Sequence, residues 1–192
     1  MGNSASTILI KNKLLQSASY LIGNYLIDCG DGDAILKLAQ ENHIIIRGIF
    51  LTHCHLDHIY GLPKVLKYFP DAKIYCSGQT HQGLKDETLN LSYIMPEVLY
   101  SFNYDENVVE LSEGLHSIDD IKLEMIICNG HSNDCQSYII GANLFTGDAL
   151  LPFANVFTKW PTSNKELALE SEHKLRQLAE EKKLIIQPGH WQ

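Results

Sequence analysis

Ile44-Ile45-Ile46-Arg47-Gly48-Ile49-Phe50-Leu51 runs directly into Thr52-His53-Cys54-His55-Leu56-Asp57-His58. The first part is a continuous branched run, the pattern of a strand buried on both faces. The second places four metal-competent side chains, His53, His55, Asp57 and His58, within six residues. On extended backbone His53 and His55 point to one side and Cys54 to the other, so Cys54 is expected to pack rather than ligate. Asp57 and His58 lie where the chain turns and can aim at a second point in space. That arrangement suits two adjacent metals better than one. Nine histidines in 192 residues would place only about 0.3 in a six-residue window by chance, and this window holds three. A set of imidazole and carboxylate donors favours zinc, iron or manganese over thiolate-rich structural zinc.

Outward from this stretch, three more candidate ligands each follow an expected strand. They are His131 in Asn129-Gly130-His131, Asp148 in Thr146-Gly147-Asp148, and His190 in Pro188-Gly189-His190. A glycine precedes each, permitting a tight turn and close backbone approach. Upstream, Tyr20–Ile27 reads as one strand ending at the Asp28-Cys29-Gly30-Asp31-Gly32 turn. Asp33 reads as the cap of a helix over Ala34–Asn42. Downstream, helices are expected over Leu62–Phe69, around His81 and over Lys165–Glu181. Strands are expected at Lys73–Cys76, near Val108, and at Ile121–Cys128, Ser137–Ile140, Asn143–Thr146 and Leu184–Gln187. Residues 88–106 show no period and read as an irregular excursion. With no repeat or linker, the reading is one mixed α/β domain over residues 1–192: two sheets, each faced by helices on its outer side.

Composition narrows the partners. Apolar content of 45% and charged content of 20% are those of a globular chain. A net charge of −8 with a pI near 5.5 speaks against a nucleic-acid surface. Five irregularly spaced cysteines without a CxxC pair speak against a disulfide framework or a cysteine-rich zinc site. No apolar run approaches membrane-spanning length and no signal peptide opens the chain, so a cytoplasmic, membrane-free protein acting on a small molecule is expected. Met1-Gly2-Asn3-Ser4-Ala5-Ser6 fits an N-myristoylation pattern, but no polybasic second signal follows, and a polar terminus is the simpler reading. His43 and His173 read as solvated, and His81 as either solvated or pocket-lining. Tyr93, Tyr100, Phe102, Phe153, Phe157 and Trp160 read as an apolar wall of the site, as core packing, or as a dimer contact.

The H-x-H-x-D-H stretch, followed in order by His131, Asp148 and His190, resembles the metallo-β-lactamase superfamily over nearly the whole chain. The resemblance implies a four-layer αβ/βα sandwich with the site at one edge of two packed sheets. It implies that His53, His55 and His131 hold one metal, that Asp57, His58 and His190 hold a second, and that Asp148 bridges both. Two Zn2+ are the expected ions, with Fe or Mn as alternatives. Asp28 matches the family's early acidic residue and would orient a ligand histidine from behind. Two cations about 3.5–4 Å apart would present hydroxide at neutral pH, with Asp57 orienting it. The ligand set is similar to the glyoxalase II type, so a thioester, lactone or other ester-like substrate is expected. β-Lactamase and phosphodiesterase activities are further alternatives. The family's C-terminal glutathione-binding region is not matched, nor is the helix that commonly follows the last ligand; a homodimer covering the exposed sheet face is therefore expected. The rival reading resembles persulfide dioxygenases, which bind one iron through two histidines and one aspartate.

Overall fold

The computed structural model describes residues 6–192, and Gly2 with its myristoylation pattern lies outside the described residues. These residues divide into two compact units, the first running to Glu110 and taking back Trp191–Gln192, the second spanning Leu111–His190. Each unit is built on one sheet.

The first unit carries β1 (Thr7–Lys11), β2 (Ala18–Ile22), β3 (Tyr25–Ile27), α1 (Gly32–Glu41), β4 (Gly48–Phe50), α2 (Leu56–Ile59), α3 (Leu62–Tyr68), β5 (Lys73–Cys76), α4 (Gly78–Gly83) and β6 (Val108–Glu110). Its sheet has the order β1-β2-β3-β4-β5-β6. The first three strands are antiparallel, and β3 to β6 are parallel. The core of this unit gathers Leu26, Ile35, Ile49, Leu51, Leu62, Leu66 and Ile74. The central parallel strands β3 and β4 are buried throughout and β5 nearly so, whereas the edge strand β6 is largely exposed.

The second unit carries β7 (Gly114–Ile118), β8 (Ile121–Ile127), β9 (Gln136–Ile140), β10 (Asn143–Gly147), α5 (Lys165–Lys182) and β11 (Ile185–Pro188). Its sheet order is β11-β10-β9-β8-β7, with β10 and β11 parallel and the rest antiparallel. Leu175 and Ala179 on one face of α5 pack with Ile126, Cys128, Cys135, Ile139 and Leu144. Asn164 caps α5 by accepting from the Leu167 N–H, so the helix starts at the position its sequence signals.

Several expected elements differ in the fold. Tyr20–Ile27 is a hairpin, not one strand: Ile22 pairs with Tyr25 across Gly23-Asn24, and Gly23 takes φ +56. Its apolar flanks hide the turn because β2 and β3 are both fully buried. Ile44–Leu51 is regular only at Gly48–Phe50, the three positions that face β3 and β5. A strand is no longer than the partners that satisfy its backbone. Asp31, not Asp33, caps α1, its carboxylate accepting from the N–H groups of Asp33 and Ala34. The edge strands β1 and β7 are not among the expected elements; β1 has one buried position, Ile10, and β7 has none, so neither carries a buried apolar run. Among the described residues, no helix is long and apolar enough to cross a membrane.

All five cysteines are free and buried. Burial pushes the Cys128 thiol up to about 12, partly opposed by its contact with the Ser137 hydroxyl, and carries Cys29 and Cys135 well above the ordinary 9.0. Burial also raises Tyr20 and Tyr100 above the ordinary 10.0. A folded-state pKa above the unfolded one adds stability that is complete below the unfolded value and is lost as pH rises towards the folded one. The urea midpoint is therefore expected to hold up to about pH 9 and to fall through pH 9–12. Native protein at pH 8 should leave a chromogenic disulfide reagent unreacted until urea is added. Rapid labelling of several thiols in the native state would contradict this packing.

Candidate metal centre

In the first unit, β4 delivers Leu51 and Thr52 to the motif, and α2 begins at Leu56, immediately after His55. His53 and His58 have no solvent exposure, and His55 and Asp57 are buried. The His53 ring lies 4.6 Å from that of His55 and 4.3 Å from that of His58, centroid to centroid. The short helix α2 turns Asp57 and His58 back, so that His58 Nε2 comes within 3.4 Å of Asp57 Oδ2.

Asp28 sits at the end of β3 with φ +56, a strained position for a side-chain-bearing residue. Its N–H donates to Phe50 O (2.9 Å), and Cys29 N–H donates to His58 O (2.7 Å), which holds the turn beside the motif. Asp28 Oδ1 accepts from Thr52 N–H (2.7 Å) and Oδ2 from the Thr52 hydroxyl (2.8 Å). Oδ2 also accepts from His58 Nδ1–H at 2.9 Å. The Thr52 proton is committed to Asp28, so its oxygen accepts from His53 Nδ1–H at 3.1 Å. Both imidazoles are thereby held as Nδ1–H tautomers that present the Nε2 lone pair. Close backbone approach makes this packing work. A Cβ on Gly30 would lie 2.2 Å from Asp57 O and 2.3 Å from Asn12 Nδ2, while Ser17 Oγ donates to that same Asp57 carbonyl (2.7 Å).

In the second unit, His131 follows β8, Asp148 follows β10, and His190 follows β11. His190 Nε2 lies 3.1 Å and His131 Nε2 3.4 Å from Asp148 Oδ2. His131 Nδ1–H donates to Phe157 O (2.8 Å), which fixes the same tautomer as in the first unit. Ser163 Oγ donates to His131 O (2.6 Å). A Cβ on Gly189 would lie 2.3 Å from Asp148 Oδ1, so glycine there lets His190 pass beside the carboxylate.

The donor chemistry fits divalent metal. In each unit an imidazole whose Nδ1–H is committed to another acceptor sets its Nε2 3.4 Å from a carboxylate oxygen, a juxtaposition that a shared cation or proton joins. Nitrogen and oxygen donors without thiolate suit zinc, iron or manganese. Cys54 takes no part: its thiol donates to Leu89 O, and its side chain packs against Gly83. His43 and His173 are exposed. His81 is held elsewhere, Nδ1 at 2.8 Å from Glu110 Oε1 and Nε2 at 3.2 Å from Asp105 Oδ1. Sequence reasoning missed Thr52, Ser163 and the Phe157 carbonyl. Adjacency to the motif was the only signal for Thr52, and a backbone carbonyl leaves none.

Known proteins resemble this chain in sequence and in fold. Over 125 residues the chain is 29% identical to a hydroxyacylglutathione hydrolase of Aliivibrio fischeri, a match covering 65% of this chain and 41% of that protein. The chain thus spans less than half the length of that relative. The solved structure of the BLEG-1 B3 metallo-beta-lactamase superposes with a TM-score of 0.87 at 24% identity, covering 97% of this chain and 92% of that one. That of TTHA1623 in a di-iron-bound form gives 0.81 at 23%, covering 96% and 92%. Both show the same fold of two sheets with helices. The family model of the metallo-beta-lactamase superfamily matches residues 12–190, from the strand turn before Asp28 through the last histidine, and the chain belongs to that superfamily.

Proposed function

We propose that the protein is a dinuclear metal-dependent hydrolase of thioesters, lactones or related small esters. In this reading the two units act as one catalytic domain. His53, His55 and His131 hold one ion, Asp57, His58 and His190 hold the other, and Asp148 is shared. The observation that carries it is the pairing of Nε2 lone pairs with carboxylates in both units, on histidines whose other nitrogen is committed to an acceptor.

Divalent cations in such a donor set supply Lewis acidity and a water acidic enough to attack at neutral pH. The chain's own groups do the rest. Asp28 and Thr52 keep His58 and His53 in one tautomer and orientation. The Phe157 carbonyl does the same for His131. Asp57 Oδ accepts a hydrogen bond from the attacking water and aims its lone pair at the substrate carbonyl. Burial of these groups excludes bulk water and strengthens each of these interactions. The relationship to hydroxyacylglutathione hydrolases supports a thioester as the first substrate to try.

The test is elemental analysis of anaerobically purified protein beside a thioester and lactone assay. About two ions per chain, zinc or mixed with iron or manganese, are expected, with turnover abolished by a chelator and restored by metal. A single iron per chain with oxygen uptake and no hydrolysis would overturn the reading.

A further inference from the structure

The chain passes from the second unit back to the first between His190 and Trp191. His190 is a ligand candidate, so whatever holds Trp191 also limits where the backbone of His190 can go. Trp191 is held at three points, all of them in the first unit. Its N–H donates to Gln16 O (3.2 Å), and its indole Nε1–H donates to Asn12 O (3.2 Å). Lys11 Nζ lies over its ring, 4.6 Å from the centroid.

The loop that receives Trp191 is strained, and it leads to a second ligand candidate. Leu15 and Gln16 take φ +48 and +57, left-handed values that side-chain-bearing residues keep only where their surroundings impose them. Asn12 N–H closes this loop by donating to Ser17 O (3.0 Å). The Asn12 side chain has no solvent exposure, and its Nδ2 donates to Ser17 Oγ and Ser19 Oγ, both at 3.0 Å. Ser17 Oγ in turn donates to Asp57 O (2.7 Å). A longer α2 would offer that carbonyl the Gly61 N–H, which donates instead to Cys29 O (2.7 Å). Ser17 thus fills a place that the short helix leaves open. Hydrogen bonds run from the Trp191 indole through Asn12 and Ser17 to the backbone of Asp57.

We infer that Trp191 is a positioning residue that clasps His190 to the Asn12–Ser17 loop and so sets His190 and Asp57 in register as ligands of one ion. The inference rests on the dinuclear reading, in which Asp57, His58 and His190 share one ion and His53, His55 and His131 the other.

Chelator titration of the zinc-loaded full chain tests it. The parent should give up about two ions per chain. In Trp191→Ala one ion should be lost at least about tenfold more readily, with the other held as in the parent. Trp191→Phe keeps a ring beneath Lys11 and loses only the indole N–H, so it should fall between the two. Ser17→Ala, at the other end of the chain of hydrogen bonds, should weaken the same single ion. The double variant Ser17→Ala/Trp191→Ala should weaken it by less than the product of the two effects. Two ions held as tightly in Trp191→Ala as in the parent would overturn the clasp and leave the dinuclear reading standing. Equal weakening of both ions, the mark of a merely structural role, would do the same. A parent that holds one ion per chain would overturn the dinuclear reading itself, and the clasp with it.

Discussion

Replacing Asp57 or His131 by alanine is expected to lower thioester or lactone turnover by roughly a thousandfold or more, with the fold retained. The two residues come from different units and different parts of the chain, so a shared loss is a demanding outcome. Asp57 acts through its carboxylate, which lies 3.4 Å from His58 Nε2 and in this reading both ligates and orients water. His131 acts through Nε2, with Nδ1–H already committed to Phe157 O. Neither side chain is an apolar core member, so circular dichroism and the thermal midpoint of the apo-variants should stay close to those of the apo parent. Metal content per chain should drop in both. Parental turnover in either variant would contradict the dinuclear assignment.

Gly130→Ala is expected to cost about 3 kcal/mol or more of unfolding free energy, the largest stability effect of any single methyl group in the second unit. Two causes add. Gly130 has φ +137, where a side chain is strained. An added Cβ would also lie 2.2 Å from Ala168 N and 2.3 Å from Ala168 Cα, which are backbone of α5 and cannot swing aside. Gly114→Ala separates the two: its φ is +128, but its Cβ would meet nothing within 4 Å. That variant should lose only about 1–2 kcal/mol, the backbone strain alone. Urea titration of both variants reads the difference, and equal losses would refute the clash. Because Gly130 precedes His131 and its carbonyl accepts from Asn164 N–H, Gly130→Ala should also weaken metal retention.

The candidate metal donors were legible in the sequence because residue identity and spacing are local properties. Three histidines and an aspartate in six residues after a buried run, and three Gly-preceded candidates after later strands, need no coordinates to be seen. Strand and helix types followed from periodicity, and β5, at Lys73–Cys76, agrees with its expected bounds. What the sequence left hidden depends on partners distant along the chain. The hairpin at Gly23-Asn24 hides inside an apolar run, because burial on both faces removes the alternation that would mark it. The length of β4 is decided by β3 and β5 on either side. The resemblance set Asp28 behind a ligand histidine without saying which; the tertiary structure brings it, thirty positions away, to Nδ1 of His58. Likewise only the fold places the Phe157 carbonyl, which no side-chain pattern encodes, behind His131. Residue type along the chain determined which atoms are available to bind metal. For His53, His58 and His131 the tertiary hydrogen bonds decided which nitrogen is left to present a lone pair, because a tautomer is chosen by whatever accepts the other proton.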